Sequence, residues 1–390
     1  MRIVIATIYQ AIRGGAEKYL QALVQEMARR GHQVAVVYEH TAGEREGKFH
    51  SDDITAKEVS EQLWNEWKPD VVYLNGLENV SWEAELLTKY PCVLYAHNYQ
   101  GTCATGTKSH MWPQPMPCER LFGPACLVVN YLRRCGGLNP LKLWEQYQLQ
   151  KKRLELLSRY RSVLVASEHM RNEFLRHDVC PSDSLHCLPY PLTDSSPDVQ
   201  PPTWREFSDV VFMAARLTKL KGGQFLIPAM EMAQRELGRK LKLVVAGNGP
   251  QRSEWQELAE RKGISTEFLG WISGEERNQW MRRADLLAVP SVWPEPFGLT
   301  GIEAGCVGLP AVAYAVGGIP DWLQSGESGE LAPGNPPTVE GLALAIAKAL
   351  HNPHHWQKLR TGAWKMSQRF AMATHMDQLE AVFERAIQGK

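Results

Sequence analysis

The sequence predicts an α/β protein of two domains, each built on a parallel sheet, and three observations lead there. Short apolar runs alternate along the whole chain with longer stretches in which apolar residues recur at helical spacing. Glycine-bearing turns follow several of those runs, where a strand would hand over to a helix. The 390 residues are enough for two domains that each bury a core.

Taken in order, residues 3–7 are a compact apolar strand, and 14–30 a helix with Leu20, Leu23, Val24 and Met27 on one face. Gly31 ends that helix, and strands follow at 34–38, 70–74 and 92–96. A strand at 162–166 runs into Ser167, a good cap for a helix reaching Arg176. Residues 189–202 are rich in Pro, Ser and Asp and mark a linker. The domains are therefore expected at 1–190 and 209–370, with 191–208 between them. The second domain repeats the alternation, with strands at 209–214, 243–246, 267–271 and 285–290, and the chain closes on helical residues 356–387.

Composition excludes several classes. With 43 basic and 43 acidic residues, nothing global points to nucleic acid or a polyanionic partner. The start, MRIVIATIYQ, enters a strand directly, with an apolar core too short for a signal peptide. No apolar run approaches the roughly 20 residues that a bilayer span needs. A cytoplasmic protein is expected, with peripheral membrane contact left open.

The most informative stretch is 291–305, SVWPEPFGLTGIEAG. Pro294 and Pro296 keep the chain extended, Gly298 permits a sharp turn, and a helix can start beyond it. Glu295 is thereby held in a rigid loop, and Glu303 near the start of the helix. Unpaired amides around Phe297, Gly298 and Leu299 would face a diphosphate at the positive end of that helix. A carboxylate at Glu303 suits ribose hydroxyls, and one at Glu295 suits sugar hydroxyls. Two glutamates also favour a helix N-terminus for purely structural reasons, so their surroundings decide.

Those surroundings carry a resemblance. Glu-Pro-Phe-Gly-Leu-x3-Glu resembles the paired-glutamate signature of retaining glycosyltransferases of family four, and further segments match the same pattern. They are ARLTKLKGG with Arg216 and Lys221, AGNGP with Gly247, Asn248 and Gly249, GGIPD at 317–321, and RGGAEKY with Gly14 and Gly15. The matches fall in the family's order along nearly the whole chain.

The resemblance implies the GT-B fold, two Rossmann-like domains facing a deep cleft. It implies that Arg216 and Lys221 stabilise the leaving diphosphate and that residues 247–249 border the nucleotide. The backbone at Gly270 and Trp271 would receive the base, and the Gly14–Gly15 loop would face the donor phosphate and sugar. His97 follows the fourth strand, where the family often has a histidine near the reacting sugar. The catalytic set expected on this basis is His97, Arg216, Lys221 and Glu295. The final helix, about 371–390, would pack back on the first domain, which would hold the acceptor.

The expected reaction moves a sugar from a nucleoside diphosphate to an acceptor hydroxyl with retained configuration, in polysaccharide or glycoconjugate biosynthesis. UDP is the first expectation for the donor and GDP the second. The acceptor would be a carbohydrate, a lipid-linked sugar or a small molecule. No Asp-x-Asp pair occurs, so transfer without a catalytic metal or other cofactor is expected, the nucleotide-sugar being the substrate. A GT-B sugar-nucleotide epimerase and a non-catalytic nucleotide-binding module are the alternatives.

Residues 101–140 form an unusual loop with Cys103, Cys118, Cys126 and Cys135, and with His110 between the first two. Without a Cys-x2-Cys knuckle, the pattern is compatible with a structural zinc, with free thiols or, least in a reducing compartment, with disulfides. Residues 141–161 read as a basic helix carrying an apolar stripe of Leu143, Tyr147, Leu154 and Leu157. Such a helix is either an ordinary solvated one or a surface for anionic lipid.

Overall fold

The computed structural model describes residues 1–9, 14–40, 55–58, 64, 67–178, 180–193 and 200–389. Residues 10–13, ahead of the glycine pair, and linker residues 194–199 lie outside that set. The chain forms two compact units. The first comprises Met1–Thr107, Arg120–Thr193 and Ala371–Lys390, the second Lys108–Glu119 and Asp194–Phe370.

The first unit holds β1 (Arg2–Tyr9), β2 (Gln33–His40), β3 (Thr55–Glu58), β4 (Val71–Leu74), β5 (Cys92–Ala96), β8 (Ser162–Val165) and β9 (Leu185–Cys187), all in one sheet. The short strands Ser109–His110 and Met116–Pro117 (β6 and β7) pair separately as an antiparallel hairpin in the second unit. The large sheet has the order β3-β2-β1-β4-β5-β8-β9, and every pair in it is parallel. Ile3–Ala6 and Val71–Leu74 are buried, as strands covered by helices on both faces must be. The helix Gly15–Arg29 turns Tyr19, Leu20, Leu23, Val24 and Met27 inward, and Gly31, at φ 85°, ends its run.

The last helix, Met372–Gln388, is part of the first unit. His375 anchors it there: Nδ1 donates to Pro189 O at 2.9 Å, which leaves Nε2 to accept from Tyr19 OH at 3.0 Å. Tyr19 OH also lies 2.9 Å from Tyr73 OH. Acceptance at Nε2 requires a neutral imidazole, and burial pushes its pKa down to about 4.

The second unit holds β10 (Val210–Ala214), β11 (Lys242–Ala246), β12 (Ser265–Gly270), β13 (Leu286–Val289), β14 (Ala311–Tyr314) and β15 (Gly329–Ala332). Their order, β12-β11-β10-β13-β14-β15, is again wholly parallel. In both sheets the strand order reverses beside the first strand, a doubly wound arrangement whose ligand position is the carboxyl edge at that reversal. Residues 200–208, read as linker, lie along this unit: Arg205 Nη1 pairs with buried Asp285 at 2.8 Å, and Arg360 Nη1 donates to Thr203 O at 2.6 Å.

Of the readings left open for the cysteine-bearing segment, a structural zinc is not shown. Among the described residues no cluster of three or more His, Cys, Asp or Glu could hold a metal, and the eight cysteines stand as thiols. The thiols are engaged locally instead. Cys126 Sγ and Cys135 Sγ each lie 3.9 Å from a nearby carbonyl, of Leu121 and Val129, and Cys103 Sγ lies 3.5 Å from Thr105 Oγ1. No disulfide is shown either. The basic helix runs Pro140–Leu157, so Arg159 and Arg161 are outside it, and Arg153 is buried and donates to Leu77 O.

Candidate functional site

In the second unit, β10 and β13 are neighbours on either side of the reversal, and the loops leaving their carboxyl ends are locked together. Val292 N donates to Leu220 O at 2.9 Å. Gly222, at φ 74°, packs so tightly that a Cβ there would lie 1.8 Å from Pro290 O. Between these ties the short turn Lys219–Lys221 presents Lys221, whose Nζ reaches Glu295 Oε1 at 2.5 Å and lies 5.3 Å from the centre of a Trp293 ring.

Glu295 is buried, and its Oε1 also accepts from Ser291 Oγ at 2.5 Å. Its backbone is pinned as well: Gly318 N donates to Glu295 O at 2.7 Å, and a Cβ on Gly317 would lie 2.2 Å from that oxygen. Lys221 and Ser291 therefore hold the carboxylate, and the Gly317–Gly318 turn holds the backbone that carries it. Arg216, by contrast, is exposed, and its guanidinium makes no hydrogen bond or ion pair among the described residues.

Phe297 is buried and Gly298 takes φ 100° to open the helix Leu299–Cys306 without any side-chain cap on its first amides. Trp322 braces this turn. Its Nε1 donates to Phe297 O at 2.7 Å, and its ring lies where a Cβ on Gly301 would be, 2.2 Å from the nearest ring atom. Glu303, on the same helix, accepts from Arg277 Nη2 at 2.9 Å. Both partners are largely shielded, and Arg277 Nε is buried without a partner.

The remaining loops share this sheet edge. Gly247, at φ 123°, would place a Cβ 1.9 Å from Ala215 O, and Leu217 N donates to Asn248 O at 2.9 Å. Asn248 Oδ1 accepts from Gly249 N at 2.9 Å. Gly270, at φ 73°, accepts at its carbonyl from Gly247 N at 2.7 Å, and the next residue, Trp271, is 84% exposed. Arg216, Lys221, 247–249, 270–271 and 295–299 thus surround one edge of one sheet, with Glu303 one turn into the helix behind it.

His97, Gly14 and Gly15 belong to the first unit. Gly14 is the extended residue before the helix Gly15–Arg29. His97 follows β5 and is held from both sides: Nε2 donates to Asn75 Oδ1 at 2.9 Å, and Nδ1 accepts from Tyr190 OH. Burial pushes its pKa well below the ordinary histidine value, so it is neutral. Sequence reasoning did not single out Arg277, Ser291, Trp293, Trp322 or Asn75. Trp293 and Ser291 lay within the informative stretch, whereas Arg277 sits among charged helix residues with nothing to mark it.

Comparison with known proteins follows the same division. Residues 13–192 match the model described as Glycosyltransferase Family 4, and residues 196–366 the one described as Glycosyl transferases group 1. A D-inositol 3-phosphate glycosyltransferase 2 of Catenulispora acidiphila is 34% identical over 189 residues, 46% of this chain and 44% of that protein. An uncharacterized glycosyltransferase of Methanocaldococcus jannaschii is 28% identical over 224 residues, 53% of this chain and 55% of that one. These matches span only about half of each relative.

Among solved structures, sucrose-phosphate synthase of Thermosynechococcus elongatus superposes with a TM-score of 0.70 at 18% identity, covering 100% of both chains. Anabaena HepE, solved in complex with UDP and glucose, gives 0.68 at 18% identity, covering 98% of this chain and 100% of that one. With two parallel-sheet units of this order, and family matches over both, the chain belongs to the family-four type of glycosyltransferases and has the GT-B fold.

Proposed function

We propose that this protein transfers a sugar from a nucleoside diphosphate, UDP in the first instance, to an acceptor hydroxyl with retained configuration. The observation that carries this reading is the Lys221–Glu295 pair beside the uncapped start of the helix Leu299–Cys306. A diphosphate at that helix start would meet unpaired amides, the positive end of the helix and the Lys221 ammonium together. Arg216 is exposed beside it and supplies a second cation.

The chemistry follows from charge. Breaking the glycosidic bond builds positive charge on the sugar and negative charge on the leaving diphosphate. Lys221, Arg216 and the helix-end amides offset the second as it grows, in a preorganised setting. Glu295, its carboxylate held by Lys221 and Ser291, takes hydroxyls of the donor sugar, and Glu303, oriented by Arg277, takes those of the ribose. The loops at 247–249 and 270–271 offer backbone to the base, which is why side chains there reveal little about which base binds. His97 and the Gly14–Gly15 turn belong to the acceptor-side unit, and His97 in its neutral form can donate to a sugar hydroxyl only by exchanging one of its present bonds. The leaving phosphate itself takes the acceptor proton, so no separate metal or cofactor is invoked.

UDP in the HepE structure supports the choice of base for the first trial. The test is release of UDP from UDP-sugars against a panel of acceptors, with the product's anomeric configuration read by NMR. Acceptor-dependent release with a retained anomer supports transfer. A changed sugar with the nucleotide still attached means an epimerase instead.

A further inference from the structure

We infer that residues 128–144 of the first unit form a docking surface for an anionic lipid bilayer. Val128, Tyr131, Leu132, Leu138, Leu141 and Trp144 are all exposed there, Leu132 by 65% and Leu141 by 73%. Large apolar side chains scattered singly need no explanation, but this many in one short segment mark an interaction site.

Local structure holds them outward. The helix Ala125–Arg133 places Val128, Tyr131 and Leu132 on one face and turns Asn130 inward, where its Nδ2 donates to Gly137 O at 3.0 Å. Arg134, at φ 50°, ends that helix, and Asn139 caps the next, Pro140–Leu157, through bonds from Leu141 N and Lys142 N at 3.0 and 3.2 Å. In this second helix Leu143 and Tyr147 are buried, so Leu141 and Trp144 are left on the outer side. The apolar stripe expected for this helix faces the core. The exposed apolar surface lies instead at its first turn and on the helix before it.

Charge identifies the occupant. From Arg120 to Glu145 the chain carries the four cations Arg120, Arg133, Arg134 and Lys142 against one carboxylate, the exposed Glu145. A face both apolar and predominantly basic is complementary to a bilayer with anionic headgroups, and Trp and Tyr prefer its interface. A second copy of the same face would set four cations against four with a single carboxylate, Glu145, on each side, so like charge would outweigh opposite charge. No helix among the described residues is long and apolar enough to cross a membrane, so the contact is with its surface. The inference stands whether or not the proposed transfer is correct.

The test is sedimentation of the full-length protein with phosphatidylcholine vesicles, with and without added phosphatidylglycerol. Binding should need phosphatidylglycerol and weaken as salt rises. It should fall about tenfold or more in Leu132→Ser with Trp144→Ser, and likewise in Arg133→Glu with Lys142→Glu. The second pair involves only exposed side chains, and unchanged thermal melting shows that the fold is kept. Absence of binding at low salt, or binding unchanged in both variants, overturns the inference. So does a wild-type dimer in sedimentation velocity that Leu132→Ser with Trp144→Ser converts to monomer, because the face would then join two copies.

Discussion

Lys221 Nζ and Glu295 Oε1 meet at 2.5 Å although their positions are 74 residues apart, and the Glu295 carboxylate is buried. Two loops from adjacent strands exist in this shape to make that contact. Lys221→Ala removes one partner and leaves the carboxylate with Ser291 alone. Stability should fall by about 1–3 kcal/mol, read by urea unfolding. Transfer should fall about a hundredfold or more, mainly in kcat, because the lost charge acts on the leaving group. An unchanged kcat would remove Lys221 from the chemistry.

Gly317, at φ 57°, sits against Glu295 O, and its replacement tests the brace rather than the charge. Gly317→Ala should destabilise by about 2 kcal/mol or more and impair transfer, because the loop must shift to admit a methyl group. Gly238→Ala is the control: it has a similar φ of 65° but nothing within 4 Å, so only the local backbone cost of about 1 kcal/mol is expected. Equal losses in both would mean that the Gly317 contact carries no weight.

In the proposed reading Arg277 acts through Glu303, to which it donates at 2.9 Å, and is a positioning residue. Arg277→Ala should raise the KM for donor about tenfold with little change in kcat, as expected when binding is lost equally from ground and transition states. Combined with Glu303→Ala, its effect should largely vanish, since both changes disable one pair. Additive effects would separate the two residues.

Stability should depend on pH through His375. Its folded pKa of about 4 lies below the ordinary histidine value of 6.5, so the unfolded chain takes up its proton first as pH falls. The contribution is therefore complete above about pH 6.5 and is lost progressively toward pH 4. His97 acts in the same direction. Melting temperature between pH 7 and 4.5 should fall less steeply in His375→Gln than in the parent, and identical slopes would contradict the assignment.

What the sequence makes legible is local. The stripe of Leu20, Leu23, Val24 and Met27 announced its helix because helical spacing is written in adjacent turns. The alternation of apolar runs likewise announced the parallel strands, and the Glu295–Glu303 spacing announced a loop followed by a helix. What stayed hidden depends on distant partners. Arg277 meets Glu303 from 26 residues away, and nothing around it distinguishes it from its charged neighbours. Arg153 lies in the stretch that read as a basic helix, yet it is buried and donates to Leu77 O. The cysteine spacing could not reveal that the thiols find local carbonyl and hydroxyl partners instead of converging.

The central claim is that the edge of the second sheet binds a nucleoside diphosphate. Calorimetric titration with UDP, repeated on Glu303→Ala and Glu295→Ala, tests it most directly. The account predicts saturable binding that Glu303→Ala weakens about tenfold or more, while Glu295→Ala leaves UDP affinity nearly unchanged and weakens only the UDP-sugar. Binding of GDP or ADP in place of UDP, with the same response to Glu303→Ala, would correct the base and keep the site. Absence of binding by any of the three nucleotides, or equal UDP affinity in all three proteins, would contradict it.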